Sequence, residues 1–272
     1  MGKQLRIWLF VLLGTLFTSS SLLAEGLITM TTSRTVGGII SLRIDANGEI
    51  TIEGVKETLQ TEDRVVYYTL TSQTITIRGD VTRFDCSDNQ LTSLDVSKNT
   101  SLTDLDCFNN QLTSLDLSQN TALTKLDCSW NQLTSLDLSQ NTPLAELNCF
   151  NNQLTSLDVS KNTALESLDC SSNQLTSLDL SKNTALESLE CSINQLTSLN
   201  ISGCTRLEVL FCFSNCINGE AMTKLVNSLP DRRGMGHGTI FLVDRSSKKR
   251  DKNRCSAADV TTARKKNWEV QQ

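Results

Sequence analysis

Apolar residues recur along most of the chain with a fixed period of 21 residues. Six consecutive segments of this length align without insertion from Leu91 onward, and a diverged copy precedes them because Leu70 stands 21 residues before Leu91. The repeats therefore run from about Leu70 to Cys216. Such a period is typical of a solenoid, in which no unit buries its apolar residues alone and stacked turns share one continuous core.

One half of each unit has the spacing of a strand-forming repeat. The segment 102–112 reads L-x-x-L-x-C-x-x-N-x-L, whereas the other half carries one residue too many before its next leucine. We predict a short parallel strand in the first half that lines the concave side of the solenoid. Because side chains alternate along a strand, Leu105 and Cys107 should point inward, and Asp104, Asp106 and Phe108 toward solvent.

Cysteine and asparagine each recur once per turn and should form internal columns. Free cysteine packs as a small apolar side chain, and parallel neighbours in register are poorly arranged for a disulfide torsion, so we predict a reduced cysteine ladder. A straight column brings too few thiols together for a metal site, and none is expected. The asparagine amides should satisfy backbone groups at the turn that leaves each strand. The predicted cysteine ladder comprises Cys86, Cys107, Cys128, Cys149, Cys170, Cys191 and Cys212, and the predicted asparagine ladder comprises Asn89, Asn110, Asn131, Asn152, Asn173, Asn194 and Asn215.

The 21-residue unit, with cysteine in place of one leucine and the block LTSLD-[LV]-S-x-N-T, resembles the repeats of the bacterial internalins. The likeness is greatest to the internalin J type, and exported repeat proteins of Bacteroidetes are similar. It covers about residues 70–216. The resemblance implies a leucine-rich repeat solenoid, which is a right-handed, curved, parallel β superhelix. It also implies a role in binding or adhesion at a cell surface.

The two ends of the chain differ from the repeats. Lys3 and Arg6 precede a short apolar run, so residues 1–24 read as a secretory signal peptide, which predicts a secreted, cell-surface or periplasmic protein. Residues 25–69 alternate apolar and polar positions between glycine-containing turns and predict a small N-terminal β cap. Residues 217–272 lose the repeat and predict an α+β C-terminal cap. Its predicted elements are a helix at 219–229, an extended segment at 239–243 and a helix at 256–266, where Ser256 and Asp259 could form a capping box.

The composition leaves little material for catalysis. The 272 residues carry a formal net charge of −5 and one histidine, His237, whose glycine-rich surroundings lack the strand, helix and lysine of a phosphate loop. No nucleophile and base can be paired by motif or spacing, so we expect neither enzyme activity nor a cofactor. Cys216 and Cys255 lie outside the ladder and are the one candidate disulfide.

Positions of the predicted concave strand vary among the repeats. The position of Asp104 holds six different residue types along the array, whereas the pair Thr92–Ser93 recurs in every later unit. A binding surface would show this pattern, and drift at unconstrained positions would show it too. Phe108, Trp130 and Phe150 fall on consecutive turns, and strands about 4.8 Å apart would group them. We predict that this aromatic patch anchors a partner, the alternative being lateral packing over the backbone.

Charge is divided along the chain. Residues 81–216 hold 16 acidic and 6 basic side chains, a net of −10, whereas residues 217–272 hold 6 acidic and 12 basic, a net of +6. An acidic column along the strands could keep the solenoid soluble, attract a basic partner or, least compatible with a flat ladder, bind calcium. The basic run 245–254 is either a solvated loop or a contact with anionic glycan or lipid head groups. The acidic column comprises Asp85, Asp106, Asp127, Asp169 and Glu190.

These patterns predict an exported, non-enzymatic binding protein that engages a protein or a glycan through the concave face. We expect a monomer and no nucleic-acid partner. The alternative is a secreted spacer or self-associating matrix protein whose repeats provide rigidity, and concentration-dependent assembly would favour it. The predicted contact residues are Phe108, Trp130, Phe150, Asp104, Asp106, Asp127, Asp169 and Glu190.

Overall fold

The computed structural model describes residues 26–61, 64–246 and 251–271 as a β solenoid whose turns advance by 21 residues. The predicted signal peptide lies outside these residues. Six strands precede the first parallel strand: β1 (Leu27–Thr32), β2 (Ile39–Ala46), β3 (Thr51–Glu53), β4 (Val55–Gln60), β5 (Val66–Leu70) and β6 (Thr74–Arg78), the last of which lies within the diverged first copy of the repeat. The repeats contain β7 (Val81–Asp85), β8 (Leu91–Asp95), β9 (Asp104–Asp106), β10 (Lys125–Asp127), β11 (Glu146–Asn148), β12 (Ser167–Asp169), β13 (Ser177–Asp179), β14 (Ser188–Glu190), β15 (Ser198–Asn200) and β16 (Val209–Phe211).

The short strands predicted from the repeat form one parallel sheet. Leu105 of β9 stands opposite Leu126 of β10, and Leu126 opposite Leu147 of β11, so each turn repeats the one before it without a shift. Leu105 and Cys107 are fully buried, whereas Asp104, Asp106 and Phe108 are partly exposed. The fold class predicted from the repeat is confirmed. We call the solvent side of this sheet the strand face.

The residues before the repeats extend the solenoid on two sides. Strand β2 pairs antiparallel with β7, and β5 and β4 continue that sheet outward. On the other side β1 pairs antiparallel with β8, and β6 and β3 follow. The apolar end of the first turn is thereby covered by strands that prolong both faces.

The parallel sheet continues beyond Cys216, where the sequence repeat ends. After helix α1 (Gly219–Ser228), strand β17 (Gly238–Phe241) pairs in parallel with β16, and after helix α2 (Ala257–Lys265), strand β18 (Trp268–Gln271) pairs with β17. Helix α2 begins with the predicted capping box, in which the Asp259 backbone N–H donates to Ser256 Oγ at 3.1 Å. In the described residues, neither helix is long and apolar enough to cross a bilayer.

The cysteine ladder lies in the core. All seven of its thiols are buried and unpaired, and the Cys128 S–H donates to the backbone oxygen of Asn148 at 3.6 Å. Burial raises the pKa of each of these thiols. The ladder therefore serves packing, because the reactive thiolate is strongly disfavoured.

The asparagine ladder hydrogen-bonds consecutive turns. Asn152 Nδ2 donates to the backbone oxygens of Cys128 and Cys149 at 3.0 and 3.2 Å, while its Oδ1 accepts from the Leu133 N–H at 2.9 Å. Asn253 makes the equivalent bonds, to Cys212, Leu242 and Ile217. The turn after Cys216 therefore has Leu242 at the cysteine position and Asn253 at the asparagine position.

A second asparagine ladder, which the sequence analysis missed, runs through the other half of each turn. Its members are fully buried, and from Asn120 to Asn183 each Nδ2 donates to two backbone oxygens of the preceding turn, as Asn162 does to Leu138 and Asn141 at 3.1 and 2.8 Å. Four of their Oδ1 atoms accept no hydrogen bond. Cys204 takes the next place in this column and donates to Leu180 at 3.4 Å. The second ladder comprises Asn99, Asn120, Asn141, Asn162 and Asn183.

Candidate functional site

The strand face carries two columns of charged side chains along the repeats. The outer column, formed by Arg83 and by the first residue of each parallel strand from β9 onward, contains ion pairs between neighbouring turns: Arg83–Asp104 at 3.0 Å and Lys125–Glu146 at 2.6 Å. The acidic column lies two residues further along each strand. Because charges in the outer column compensate one another, the net negative charge of this face comes mainly from the acidic column.

The aromatic patch lies where β9, β10 and β11 end. The rings of Trp130 and Phe150 meet edge to face with centroids 5.7 Å apart. Phe108 is partly buried on the preceding turn, and within the described part of the chain its ring makes no aromatic contact. The structure therefore brings two of the three predicted anchors together, and Trp130 is 47% exposed.

Trp130 occupies a turn position whose backbone is left-handed. The same position has a positive φ in every repeat turn, from Asp88 through Asn109 and Asn151 to Ser214, where short polar residues are tolerated. Trp130 (φ 53°) and Ile193 (φ 54°) are the two large apolar residues there, and both are about half exposed. Neither conformation nor burial explains an indole at this position.

Replacing either residue with asparagine separates conformational strain from packing. We expect Ile193→Asn to raise the free energy of unfolding by about 1 kcal/mol, because a β-branched residue in the left-handed region is disfavoured. Trp130→Asn relieves similar strain but removes the contact with Phe150, so we expect the free energy of unfolding to change by no more than about 0.5 kcal/mol. Urea unfolding of both variants measures this. A clear loss of stability in Ile193→Asn would contradict the assignment of strain.

The acidic column also shapes the turns that leave the strands. Asp106 Oδ1 accepts from the Phe108 N–H at 3.0 Å, and Asp127 Oδ1 accepts from the Ser129 N–H at 2.9 Å. Asn148 replaces aspartate in the next turn and accepts in the same way from the Phe150 N–H at 3.1 Å. A neutral acceptor oxygen therefore suffices for this turn hydrogen bond.

Asp106 is the most perturbed carboxyl group of this column. Burial, together with the neighbouring carboxylates of Asp85, Asp127 and Asp104, raises its pKa to about 6 although it accepts a backbone hydrogen bond. The equivalent residue on the opposite side of the solenoid behaves differently. The Ser118 backbone N–H and hydroxyl lower the pKa of the exposed Asp116 carboxyl.

The raised pKa predicts that Asp106→Asn stabilises the fold at pH 8. The folded state binds a proton more readily than the unfolded chain between pH about 4 and about 6, so wild-type stability falls as pH rises through that range. Asparagine keeps the acceptor oxygen, as Asn148 shows, and we expect a gain of about 1 kcal/mol after solvent screening. The gain should vanish below pH about 4.

Asp116→Asn is the matched control, because it removes a carboxylate whose charged form is favoured. At pH 8 it should lower stability, opposite in sign to Asp106→Asn. Thermal unfolding from pH 3 to pH 8 measures both. Equal responses of the two variants would contradict the assignment.

A second aromatic cluster, not predicted from the sequence, lies on the strand face at the C-terminal end. Phe211 and Phe213 are partly buried, and both rings contact Phe241 of β17 in the C-terminal region, with centroids 6.3 and 4.5 Å apart. Phe241 was missed because its turn lies outside the 21-residue register. The repeat sequence could not place it.

The remaining predicted site residues lie outside the strand face or outside the described residues. Cys216 and Cys255 are partly exposed free thiols in adjoining segments, since the Arg254 N–H donates to Ile217 at 3.0 Å. Their disulfide stays a prediction. Residues 247–250 of the basic run are not among those described. Within the described ranges, no three metal-ligating side chains converge.

Solved structures similar to this chain are repeat solenoids. The functional domain of internalin J from Listeria monocytogenes, described as including a cysteine ladder, is 34% identical with a TM-score of 0.55, over 72% of this chain and 46% of that one. The chain is a leucine-rich repeat protein with a cysteine ladder. It spans less than half of that internalin J domain.

Two further structures share the leucine-rich repeat fold alone. A leucine-rich repeat protein from Leptospira interrogans is 21% identical with a TM-score of 0.52, over 65% of this chain and 44% of that one. Internalin C2 from Listeria monocytogenes is 18% identical with a TM-score of 0.52, over 70% of this chain and 81% of that one. No protein-family model and no curated protein matches the sequence. The likeness to Bacteroidetes proteins stays a prediction.

Proposed function

We propose that this leucine-rich repeat protein is exported and binds a protein or glycan partner, without catalysis, through the strand face, which forms the concave side of the curved solenoid. The observation that carries the proposal is Trp130. It is a half-exposed indole in a left-handed turn, against Phe150, on the face where residue types vary between turns. Large aromatic side chains in such places are characteristic of binding anchors.

The rest of the molecule supports a binding role. The ladders hold the repeat backbone in one register, so the strand face is a rigid platform that loses little conformational entropy when it binds. Residues 1–24 support export, and similarity to the internalin J domain supports a role at a cell surface. The basic run 245–254 would add contact with an anionic surface.

Binding to glycan arrays and to extracellular-protein arrays tests the proposal. We expect specific binding by the wild-type protein and its loss in the triple variant Phe108→Ala, Trp130→Ala, Phe150→Ala. Ile193→Asn is the matched control, because it removes an exposed apolar residue from the same turn column three turns away and should bind normally. Equal binding by the wild type and a folded triple variant would overturn the aromatic patch as the anchor.

Self-association is a second candidate, favoured by the N-terminal edge of the large sheet. Strand β4 pairs only with β5 among the described strands. Leu59 of β4 stands opposite Tyr67, and both are exposed. An unpaired edge with exposed apolar side chains favours strand pairing between molecules. Light scattering at rising concentration should then show a dimer that Leu59→Lys abolishes, and a monomer throughout would exclude this candidate.

A further inference from the structure

The charge around the aromatic patch is unevenly compensated. Arg43 of β2 stands opposite Asp85 across the strand pair, which places a cation next to that carboxylate in the register. Asp106 and Asp127, on the two turns that carry Phe108 and Trp130, take part in no ion pair within the described residues. They are neighbours in the β9–β10 register. Two adjacent carboxylates therefore lie beside exposed aromatic rings without a cation.

These carboxylates retain acceptor capacity toward solvent. One oxygen of each is used by the turn, and Asp127 Oδ2 also accepts from Asn148 Nδ2 at 2.9 Å. Asp106 Oδ2 accepts no hydrogen bond within the described ranges. Like charges on neighbouring turns raise the free energy of the ionised pair, and a bound cation would lower it.

Resting on the proposed function, we propose that the partner contacts this site through a protein segment rich in lysine and arginine. Its cationic groups pair with Asp106 and Asp127, and a guanidinium or ammonium packs on the rings of Trp130 and Phe150. Arginine stacks on aromatic faces and pairs with carboxylates through the same planar group, so one side chain can satisfy both features of the site. An acidic glycan would be repelled by the same carboxylates.

Selection from a displayed library of random dodecapeptides tests the inference. Peptides are selected on the wild-type protein, and each retained peptide is then measured on Trp130→Asn, which removes the indole while the turn keeps its preferred residue type. We expect the retained peptides to be enriched in lysine and arginine. Their affinity should fall as salt concentration rises and as pH falls below about 6, where Asp106 takes up a proton.

A matched pair of double variants separates local recognition from net charge. Asp106→Asn with Asp127→Asn should weaken retained peptides about tenfold or more. The control variant, Asp116→Asn with Asp137→Asn, removes the same charge from the opposite side of the solenoid. Each of those carboxylates accepts the equivalent turn hydrogen bond at 2.9 Å. This variant should weaken binding of the retained peptides less than twofold. Equal effects of the two double variants would overturn the inference.

The other outcomes distinguish the two proposals. Neutral or acidic peptides that are lost on Trp130→Asn would overturn the basic partner and leave the proposed function standing. Basic peptides that bind Trp130→Asn with the same affinity as the wild type would overturn the role of the aromatic patch in both proposals. Retention of no peptide would overturn recognition of a linear basic segment, and the array experiment would then decide the proposed function independently.

Discussion

Asn152→Ala is expected to lower the free energy of unfolding by about 2 to 4 kcal/mol, because it leaves the buried Leu133 N–H without a partner and removes one of the two side-chain donors to each of two buried carbonyl oxygens. The oxygens belong to Cys128, in the turn of Leu133, and to Cys149, in the next turn, and they keep the hydrogen bonds that Asn131 and Asn173 donate. Water cannot replace the amide, since the position is 8% exposed. Chemical denaturation followed by circular dichroism measures the loss.

Gln153→Ala is the control for this prediction, because its side chain is exposed beside the ladder and the change should stay within about 0.5 kcal/mol. The second ladder offers a graded comparison. The Asn162 side chain makes two hydrogen bonds instead of four and its Oδ1 accepts none, so Asn162→Ala should cost less than Asn152→Ala. If Asn152→Ala cost under 1 kcal/mol, the ladder would not be a main source of turn-to-turn stability.

The repeat predicted the fold because its period carries the structural information. A constant spacing of 21 residues places the same residue at the same point of every turn, so strand register, the cysteine ladder and the asparagine ladder follow from the alignment alone. The second ladder was available from the same alignment. It was missed because Asn120 stands in the half whose spacing departs from the strand-forming pattern.

The turn after Cys216 shows where sequence periodicity stops being informative. Between Leu242 and Asn253 there are eight more residues than between Cys212 and Asn215, so comparison of the sequence with itself loses the register. The hydrogen bonds of Asn253 nevertheless match those of the ladder. This insertion changes the period without changing the strand or the core. Phe241 was missed for a second reason, since Leu242 stands 30 residues after Cys212, nine more than the 21-residue period.

The candidate site was only partly predictable. Alternation along a strand predicted that Phe108 and the carboxylates face solvent. It could not orient Trp130, which lies beyond the strand in a left-handed turn. The pKa of Asp106 was equally inaccessible, since it depends on burial and on carboxylates from two other turns. Both properties arise from backbone conformation and stacking rather than from residue type.

The thiols of the folded protein are expected to react in two classes separated by about 1000-fold or more in rate. Alkylation requires that the thiol be ionised and that the reagent reach it. The ladder thiols meet both conditions only after the turns separate. An opening free energy of about 4 kcal/mol or more gives this factor. Cys204 is buried and belongs to the slow class, whereas Cys216 and Cys255 are partly exposed.

Alkylation at pH 8 followed by peptide mass mapping counts the two classes and also tests the predicted disulfide. If Cys216 and Cys255 are reduced, they are modified first, with Cys255 slowed because burial raises its pKa to about 11. If they are paired, no thiol is modified quickly until a reductant is added, and then only these two. Unfolding in urea should make every reduced thiol reactive. Rapid modification of Cys149 in the folded protein would contradict a closed core, because that thiol lies in the middle of the ladder with a turn stacked on either side.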